Sequence, residues 1–194
     1  MIKTCEFVSP KHPDKICDFI ADSLLDEFMK IDPASRVAVE VMGGHKQISI
    51  SGEVTSKAKV DIQKLVQSIV GADFGVNVYL AQQSSFISQG VDIGGAGDQG
   101  IMIGYATNET DTYMPSEYEL ARNLCQQVYD KYSFDGKTQV TIEDGKITTV
   151  VVSFQNTKTT ELEKFVRLLI KAEEYLINPA GEWNIGGFDA DSGL

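Results

Sequence analysis

The chain has 194 residues, 42% of them hydrophobic and 23% charged, which is enough for one large or two small globular domains. Its 28 acidic and 17 basic residues give a formal net charge of −11, which argues against nucleic acid or an anionic membrane as a partner. The opening MIKTCEFV is too short and polar for a signal peptide, and no apolar run approaches the length of a membrane span.

The three cysteines are Cys5, Cys17 and Cys125, an odd number with no C-x-x-C spacing. This pattern indicates buried free thiols in a reducing compartment rather than a disulfide framework or a metal site. We therefore expect a cytoplasmic protein.

The first half of the chain predicts a helix followed by a hairpin. Apolar residues recur every fourth position after Pro13, as on one face of an amphipathic helix. RVAVEVM and QISISGEV then alternate in polarity on either side of GGHK, which predicts two strands joined by a Gly-Gly turn. If Met42 pairs with Gln47, Glu40 lies opposite Ser49.

A second helix and a strand complete this first set of elements. Ser56 is predicted to cap a helix that runs through Val70, and GVNVYLA is typical of a short strand.

The same order of elements recurs in the second half. A helix opens at Pro115, and TQVTIE and KITTVVVSF form a hairpin around the Asp-Gly turn at residues 144–145. Another helix starts at Thr159 or Thr160, and INPAGEWNIGG follows as strand and loop.

The repeated order predicts an α+β fold of two similar helix–hairpin–helix–strand units, each with a sheet covered by its helices. We place the first unit at residues 1–100 and the second at residues 101–194.

A glycine-rich stretch lies at the predicted boundary. GAGDQG matches the dinucleotide pattern G-x-G-x-x-G, but that pattern requires a helix to open from the loop. The following IMIGYAT is instead typical of a buried strand. Asp98 therefore lies in bare backbone that a ligand can approach closely.

Several clusters carry residue types suited to a charged ligand. His12 and Asp14 stand at a helix start, which favours anions such as phosphate, although a histidine there is more often only a cap. Glu40 and Glu53 share one hairpin face and suit a cation or an ammonium group, although strand carboxylates more commonly face solvent. The remaining clusters are residues 89–100 with Gln89, Asp92 and Asp98; Phe134-Asp135-Gly136-Lys137, which is also typical of a plain surface turn; and the glycine-rich loop with Trp183 and Asp191.

Together these residues resemble the S-adenosylmethionine synthase (methionine adenosyltransferase) family. The matching motifs occur in the family's order and are HPDK, Gly52-Glu53, QGVD, GAGDQGIMIGYATNET, QVT, INPAG and the closing IGG and D-SGL. The resemblance implies that the glycine-rich stretch is the end of an active-site gating loop and the strand behind it. It also implies a fold of three similar units, of which two are present here.

The resemblance implies a reaction in which the sulfur of methionine attacks C5′ of ATP and displaces triphosphate, which is then cleaved to pyrophosphate and phosphate. Such a reaction needs in-line positioning and neutralisation of the leaving triphosphate. The family's sites lie between subunits and use Mg²⁺ and K⁺. The resemblance implies catalytic roles for His12 and Lys137, Mg²⁺ binding by Asp14 and K⁺ binding by Glu40. The residues that it implies for ATP binding are His12, Asp98, Asp135, Lys137, Trp183 and Asp191. Those that it implies for methionine binding are Glu53, Gln89, Asp98 and Asp191.

The sequence departs from the family pattern at several positions. Lys11 stands where the family has Gly, Glu182 replaces an Arg near the nucleotide, and Asn156 replaces a His. The loop between Gln89 and Gly95 is short, and the sequence stops before the family's basic T-G-R-K motif.

These observations favour one subunit of a hetero-oligomeric, two-chain synthase that takes ATP and methionine, with no nucleic acid or membrane partner. A second chain would supply the basic motif and the third unit. Two alternatives remain: a non-catalytic regulatory or binding module that docks on a full-length synthase, and a fragment of a longer chain.

Overall fold

A computed structural model of the chain describes residues 1–91, 93–97 and 99–194. Two compact units emerge: unit 1 contains Met1–Lys15 and Tyr105–Asp191, and unit 2 contains Ile16–Gly104 and Ser192–Leu194. The division at residue 100 stays a prediction about domains. The compact units differ from it chiefly because residues 1–15 belong with the second half of the chain.

The elements are, in chain order, β1 (Ile2–Val8), α1 (Pro13–Ile31), β2 (Arg36–Gly44), β3 (Gln47–Thr55), α2 (Ile62–Val70), β4 (Gly75–Ala81), α3 (Ser85–Val91), α4 (Ser116–Tyr132), β5 (Gly136–Glu143), β6 (Lys146–Phe154), α5 (Thr159–Leu169), β7 (Glu174–Ile177), a 3-10 helix (Gly187–Asp189) and β8 (Ser192–Gly193). Among the described residues, no helix is both long and apolar enough to cross a bilayer.

Unit 1 is built on a four-stranded sheet in the order β1-β5-β6-β7. β5 and β6 form the predicted hairpin, with Asp144 and Gly145 in left-handed conformation at its turn, and β7 follows α5 to lie parallel to β6. Thr138 of β5 donates a hydrogen bond to the carbonyl of Ala121 in α4 at 2.7 Å, so this face of the sheet meets the helix. The core of the unit contains Leu124, Val128, Val140, Val152, Phe154, Leu162 and Val166.

Unit 2 repeats this arrangement in a sheet of order β4-β3-β2-β8. β2 and β3 form a hairpin, and β4 follows α2 to lie parallel to β3. The short β8 pairs with Gly43 and Gly44 at the end of β2. The core of unit 2 contains the fully buried side chains of Ile20, Leu24, Ile48, Ile50 and Val66. The predicted α+β fold of two similar units is therefore confirmed.

The predicted register of the first hairpin is wrong by two residues. Its turn consists of His45 and Lys46, with φ of 49° and 63°, and Gly44 still belongs to β2. Met42 therefore pairs with Ser49 rather than Gln47. The glycines extend the strand because the residues after them adopt the left-handed conformation that a two-residue hairpin turn requires.

The shift keeps both hairpin carboxylates on one face, because a slip of two residues is a full strand period. Glu40 lies opposite Ser51 rather than Ser49, and Glu53 lies opposite Ala38.

The second helix begins later than predicted. Asp61, not Ser56, is the residue before α2, and its carboxylate accepts the backbone N–H of Lys64 at 3.1 Å. Ser56 instead accepts the N–H of Ala58 at 2.9 Å. This local hydrogen bond competes with helix formation, as serine side chains often do outside helices.

The strand predicted after the glycine-rich stretch is wrong. Residues 99–106 form no helix or strand, and Ile101, Met102 and Ile103 are 92%, 91% and 91% exposed. An apolar segment becomes a buried strand only where it can pair with the edge of a sheet. No described strand pairs with residues 101–103.

Cys17 and Cys125 are buried thiols as predicted, whereas the thiol of Cys5 is only half-buried.

Candidate functional site

Ser9 joins the turn before His12 to the turn at the start of β5. Its N–H donates to the carbonyl of Gly136 at 2.8 Å, and the N–H of Gly136 donates back to the Ser9 hydroxyl at 3.1 Å. The hydroxyl also donates to the carbonyl of Phe134 at 3.1 Å. Ser9 is completely buried, so these bonds hold the two turns together. No pattern in the sequence predicted a role for this residue.

His12 is buried, and its hydrogen bonds fix its tautomer. The backbone N–H of Asp14 donates to Nδ1 at 3.3 Å, so the neutral ring carries its proton on Nε2. The carboxylate of Asp14 lies 3.5 Å from Nδ1, where it pairs with the ring only when the ring is protonated. In its neutral form His12 therefore offers Nε2–H as a hydrogen-bond donor.

Asp135 is buried between the turn at the start of β5 and the C-terminal loop. One oxygen, Oδ2, accepts the N–H of Gly187 at 2.7 Å, where Gly187 has a φ of 57°. The other oxygen, Oδ1, is buried without a hydrogen-bond partner among the described residues. Buried polar atoms are nearly always paired, so Oδ1 is suited to accept a hydrogen bond from a ligand. Asp191 is held on the same loop, because its N–H donates to the carbonyl of Gly187 at 3.0 Å.

Lys137 and Trp183 lie together on the sheet face opposite α4. Lys137 pairs across the hairpin with Ser153, whose hydroxyl accepts the indole N–H of Trp183 at 3.1 Å. The ammonium of Lys137 lies 3.4 Å from the carboxylate of Glu6. A cation, an aromatic ring and a carboxylate are thus gathered on one face of unit 1.

Asn156 and Glu182, which differ from the family pattern, line a cavity of about 410 Å³ beside Trp183. Glu182 accepts hydrogen bonds from Lys158 at 2.9 Å and from the backbone N–H of Thr159 at 3.0 Å. The Lys158 bond lowers the pKa of Glu182, and the same bond raises the pKa of Lys158. Glu182 therefore caps the start of α5. Asn156 adopts a φ of 56°, which asparagine tolerates better than most residues.

The ATNET part of the most specific motif has a structural role. Glu109 binds Lys3 at 2.8 Å and accepts the N–H of Ser116 at 3.2 Å. The hydrogen bond from Lys3, followed by those from Ser116, lowers the pKa of Glu109 to about 2. Thr110 exchanges hydrogen bonds with the backbone of Met114 at 2.6 and 3.1 Å. The motif therefore caps α4 and ties it to β1.

The remaining predicted site residues belong to unit 2. Glu40 is exposed and Glu53 half-buried on the same face of the hairpin, and Gln89 is exposed on α3. The predicted contributions of Asp92 and Asp98 lie outside the described residues.

Within the described part of the chain, no three His, Cys, Asp or Glu side chains are grouped to hold a metal ion. Asp14 nevertheless fits Mg²⁺, because this ion usually takes one or two carboxylates together with waters and substrate phosphates. Its side chain is 53% exposed and is therefore open to such a ligand set. Glu40 offers an exposed carboxylate to K⁺ in the same way.

Residues 1–92 match the N-terminal domain of S-adenosylmethionine synthetase, and residues 93–183 match its central domain. The chain belongs to the S-adenosylmethionine synthetase family. The family prediction made from the motifs is thereby confirmed.

Similar proteins agree with this assignment. The chain is 38% identical to the S-adenosylmethionine synthase of Brachyspira hyodysenteriae, covering 97% of this chain and 61% of that protein. It is 36% identical to the synthase of Parafrankia sp., covering 98% of this chain and 63% of that one. The solved structure of an unusual S-adenosylmethionine synthetase from Campylobacter jejuni matches with a TM-score of 0.84 at 34% identity, over 100% of this chain and 62% of that one. The chain therefore spans about three fifths of the length of these relatives.

Proposed function

We propose that this chain is one subunit of a two-chain S-adenosylmethionine synthase. It makes S-adenosylmethionine, phosphate and pyrophosphate from ATP, methionine and water, and a second polypeptide supplies the C-terminal part. The observation that best supports this proposal is that the chain spans 61% of a synthase while the turns carrying His12 and Asp135 remain locked together through Ser9.

His12 and Lys137 act on the leaving group in this proposal. When the methionine sulfur bonds to C5′, the C5′–O bond breaks and negative charge collects on the triphosphate. The Nε2–H of His12 and the ammonium of Lys137 donate to that charge. Donors that are already oriented stabilise such a transition state without further reorganisation.

The other residues of the site hold the substrates. Asp135 accepts a hydrogen bond from the adenosine part through its open Oδ1, and the indole of Trp183 packs beside the nucleotide. The acids at Glu53 and Asp191 face the substrates, and the carboxylate of Glu53 suits the ammonium group of methionine. Gln89 and Asp98 complete the methionine contacts, and Asp98 also contacts ATP.

Asp14 would hold Mg²⁺ and Glu40 would hold K⁺. When bound, these cations neutralise charge on the triphosphate and its surroundings.

The charge of the chain supports a need for a second polypeptide. A triphosphate site requires several cations, yet the motifs provide only His12, Lys15 and Lys137, with Lys11 nearby, on a chain of net charge −11. Glu182 widens this deficit, because it stands where the family has an arginine. The missing cations would therefore come from the partner.

The test is reconstitution with a polypeptide from the same genome that matches the remaining part of the synthase. We expect the purified pair to form S-adenosylmethionine from ATP and methionine. Within the active pair, His12→Ala should lower kcat far more than it weakens ATP binding, because the charge it meets develops in the transition state. His45→Asn is the matched control, since His45 is the only other histidine and asparagine tolerates its left-handed turn. Equal effects of the two variants on kcat would contradict the role of His12.

The second candidate is a non-catalytic module that docks on a full-length synthase. The capping role of Glu182, at the position of a family arginine, is the observation that favours it. Calorimetry separates the two, because a regulator binds a full-length synthase whether or not ATP and methionine are present and adds no turnover. Activity from one longer polypeptide containing this sequence would instead replace both with a single-chain enzyme.

A further inference from the structure

The loop after β7 carries Trp183, and unit 1 holds this residue at three points. The indole N–H donates to the Ser153 hydroxyl of β6 at 3.1 Å. The backbone N–H of Asn156 donates to the carbonyl of Trp183 at 2.9 Å. Gly186 lies against the ring, since a Cβ at that position would be 2.6 Å from Cζ3 of the indole. A tryptophan outside the helices and strands is thereby fixed both in position and in ring orientation.

The glycine at position 186 provides space rather than an unusual backbone conformation. Its φ of −147° is extended and is open to any residue. A Cβ there would also come within 2.8 Å of the side-chain oxygen of Gln155. The amide nitrogen of Gln155 donates to the carbonyl of Asn184, the residue after Trp183, at 3.0 Å. The indole is therefore packed at its six-membered ring and hydrogen-bonded at its five-membered ring.

Ser153 connects the indole with the cation of the candidate site. It pairs across the hairpin with Lys137, so the two side chains lie on the same face of the sheet. Trp183 is half-buried, which leaves part of the ring open to a ligand. The Ser153 hydroxyl therefore determines where the open part of the ring lies relative to the side chain of Lys137.

We propose that Ser153 is a positioning residue for the purine base of the nucleotide. Its hydroxyl orients the indole of Trp183 so that the ring stacks on the base while Lys137 contacts the phosphates. The proposal rests on the function proposed above, in which Trp183 packs beside ATP, and it gives Ser153 a role in that site. A ring whose rotamer is already fixed loses less conformational entropy when the base binds, so the hydrogen bond improves nucleotide affinity.

This role has a signature that a purely structural role lacks, because it requires the indole. Phenylalanine at position 183 would keep an aromatic ring but would have no N–H to donate to Ser153. Loss of the Ser153 hydroxyl should therefore matter only while Trp183 is present. If Ser153 merely stabilised β6, its loss would have the same effect beside either ring.

Adenosine is the probe, because it carries the base without the phosphates and so does not need the cations of a partner. Its dissociation constant for the full chain is measured from the broadening of its own H8 proton signal, which does not depend on tryptophan. Ser153→Ala should weaken adenosine binding about fivefold, as expected for one ordinary hydrogen bond, and Ser153→Thr should retain the original affinity. In a Trp183→Phe background, Ser153→Ala should change nothing. An equal loss in both backgrounds, or no adenosine binding by the full chain, would overturn the proposal.

The indole N–H reports the hydrogen bond directly, because a single tryptophan gives a single signal in a ¹⁵N-correlated spectrum. In Ser153→Ala this proton should exchange with water faster than in the unsubstituted chain. Thr149→Val is the matched control, since it removes another hydroxyl from the same face of β6, where Thr149 donates to Glu174 at 3.4 Å. The control should leave indole exchange and adenosine binding unchanged. Equal effects of the two variants would contradict the role of Ser153.

The positioning role and the proposed function fail independently. In the two-chain enzyme, Ser153→Ala should raise the ATP KM about fivefold and change kcat by less than about twofold, because the base is held equally in the ground and transition states. Turnover by the pair with an ATP KM that Ser153→Ala leaves unchanged refutes only the positioning role. The expected adenosine results without turnover by the pair support the positioning role and refute the proposed function.

Discussion

Removal of the Ser9 hydroxyl should destabilise unit 1 because it removes two of the three hydrogen bonds by which Ser9 links the two turns of the candidate site. In Ser9→Ala the buried N–H of Gly136 loses its acceptor. The carbonyl of Phe134 loses a donor at the same time.

The expected loss follows from burial. An unsatisfied buried N–H costs roughly 1–3 kcal/mol, and an ordinary lost hydrogen bond costs about 1 kcal/mol. The free energy of unfolding should therefore fall by about 2–4 kcal/mol. With a urea dependence of about 2 kcal/mol per molar, in the middle of the usual range, the unfolding midpoint should fall by about 1–2 M.

The fluorescence of Trp183 is the assay, because this single tryptophan lies in unit 1. Gln127→Ala is the control within the same unit: its exposed side chain donates back to the carbonyl of Asn123 in α4, and its loss should change stability by less than about 0.5 kcal/mol. A Ser9→Ala midpoint within the range of this control would refute the reasoning.

Three further predictions concern Glu109, Cys125 and Glu53. The folded-state pKa of Glu109 is about 2 against an ordinary 4.5, so its stabilisation is complete above pH 4.5 and is lost as the pH falls from 4.5 towards 2. Glu109→Gln should flatten this part of the curve of unfolding free energy against pH, and an unchanged slope would contradict the assignment. Burial raises the pKa of Cys125 to about 12, so iodoacetamide at pH 8 should alkylate it far more slowly in the folded than in the urea-unfolded chain, as peptide mass spectrometry would show. In the active two-chain enzyme, Glu53→Gln should raise the methionine KM with little change in melting temperature, and an unchanged KM or a collapsed melting transition would show that Glu53 is structural.

Periodicity in the sequence was enough to predict most elements. The helix from Pro13, the Asp144-Gly145 hairpin and the repeated order of elements depend on local patterns that the structure retains. The errors arose where one local signal competed with another. Ser56 is a good cap, but it bonds to Ala58 and leaves the helix start to Asp61.

The prediction of a buried strand at residues 101–107 was wrong for a different reason. Composition reports how readily a segment becomes a strand, but it does not reveal whether another strand is available to pair with it. Residues 101–103 have the composition and remain exposed.

The candidate site was predicted as separate motifs, and its connections were not. His12 and Asp135 were identified from HPDK and from the turn before β5. Ser9 was missed because its importance depends on a contact with Gly136, which is 127 positions away in sequence. Only the pairing of β1 with β5 brings the two residues together.

The most direct test of the central claim is S-adenosylmethionine formation by this purified chain, alone and with the second polypeptide, at saturating ATP, methionine, Mg²⁺ and K⁺. We predict no turnover from the chain alone, because the motifs assigned to the site provide few cations for a triphosphate, and turnover when the partner is added. Robust synthesis by the chain alone, with no second protein detectable by mass spectrometry, would contradict the two-chain account.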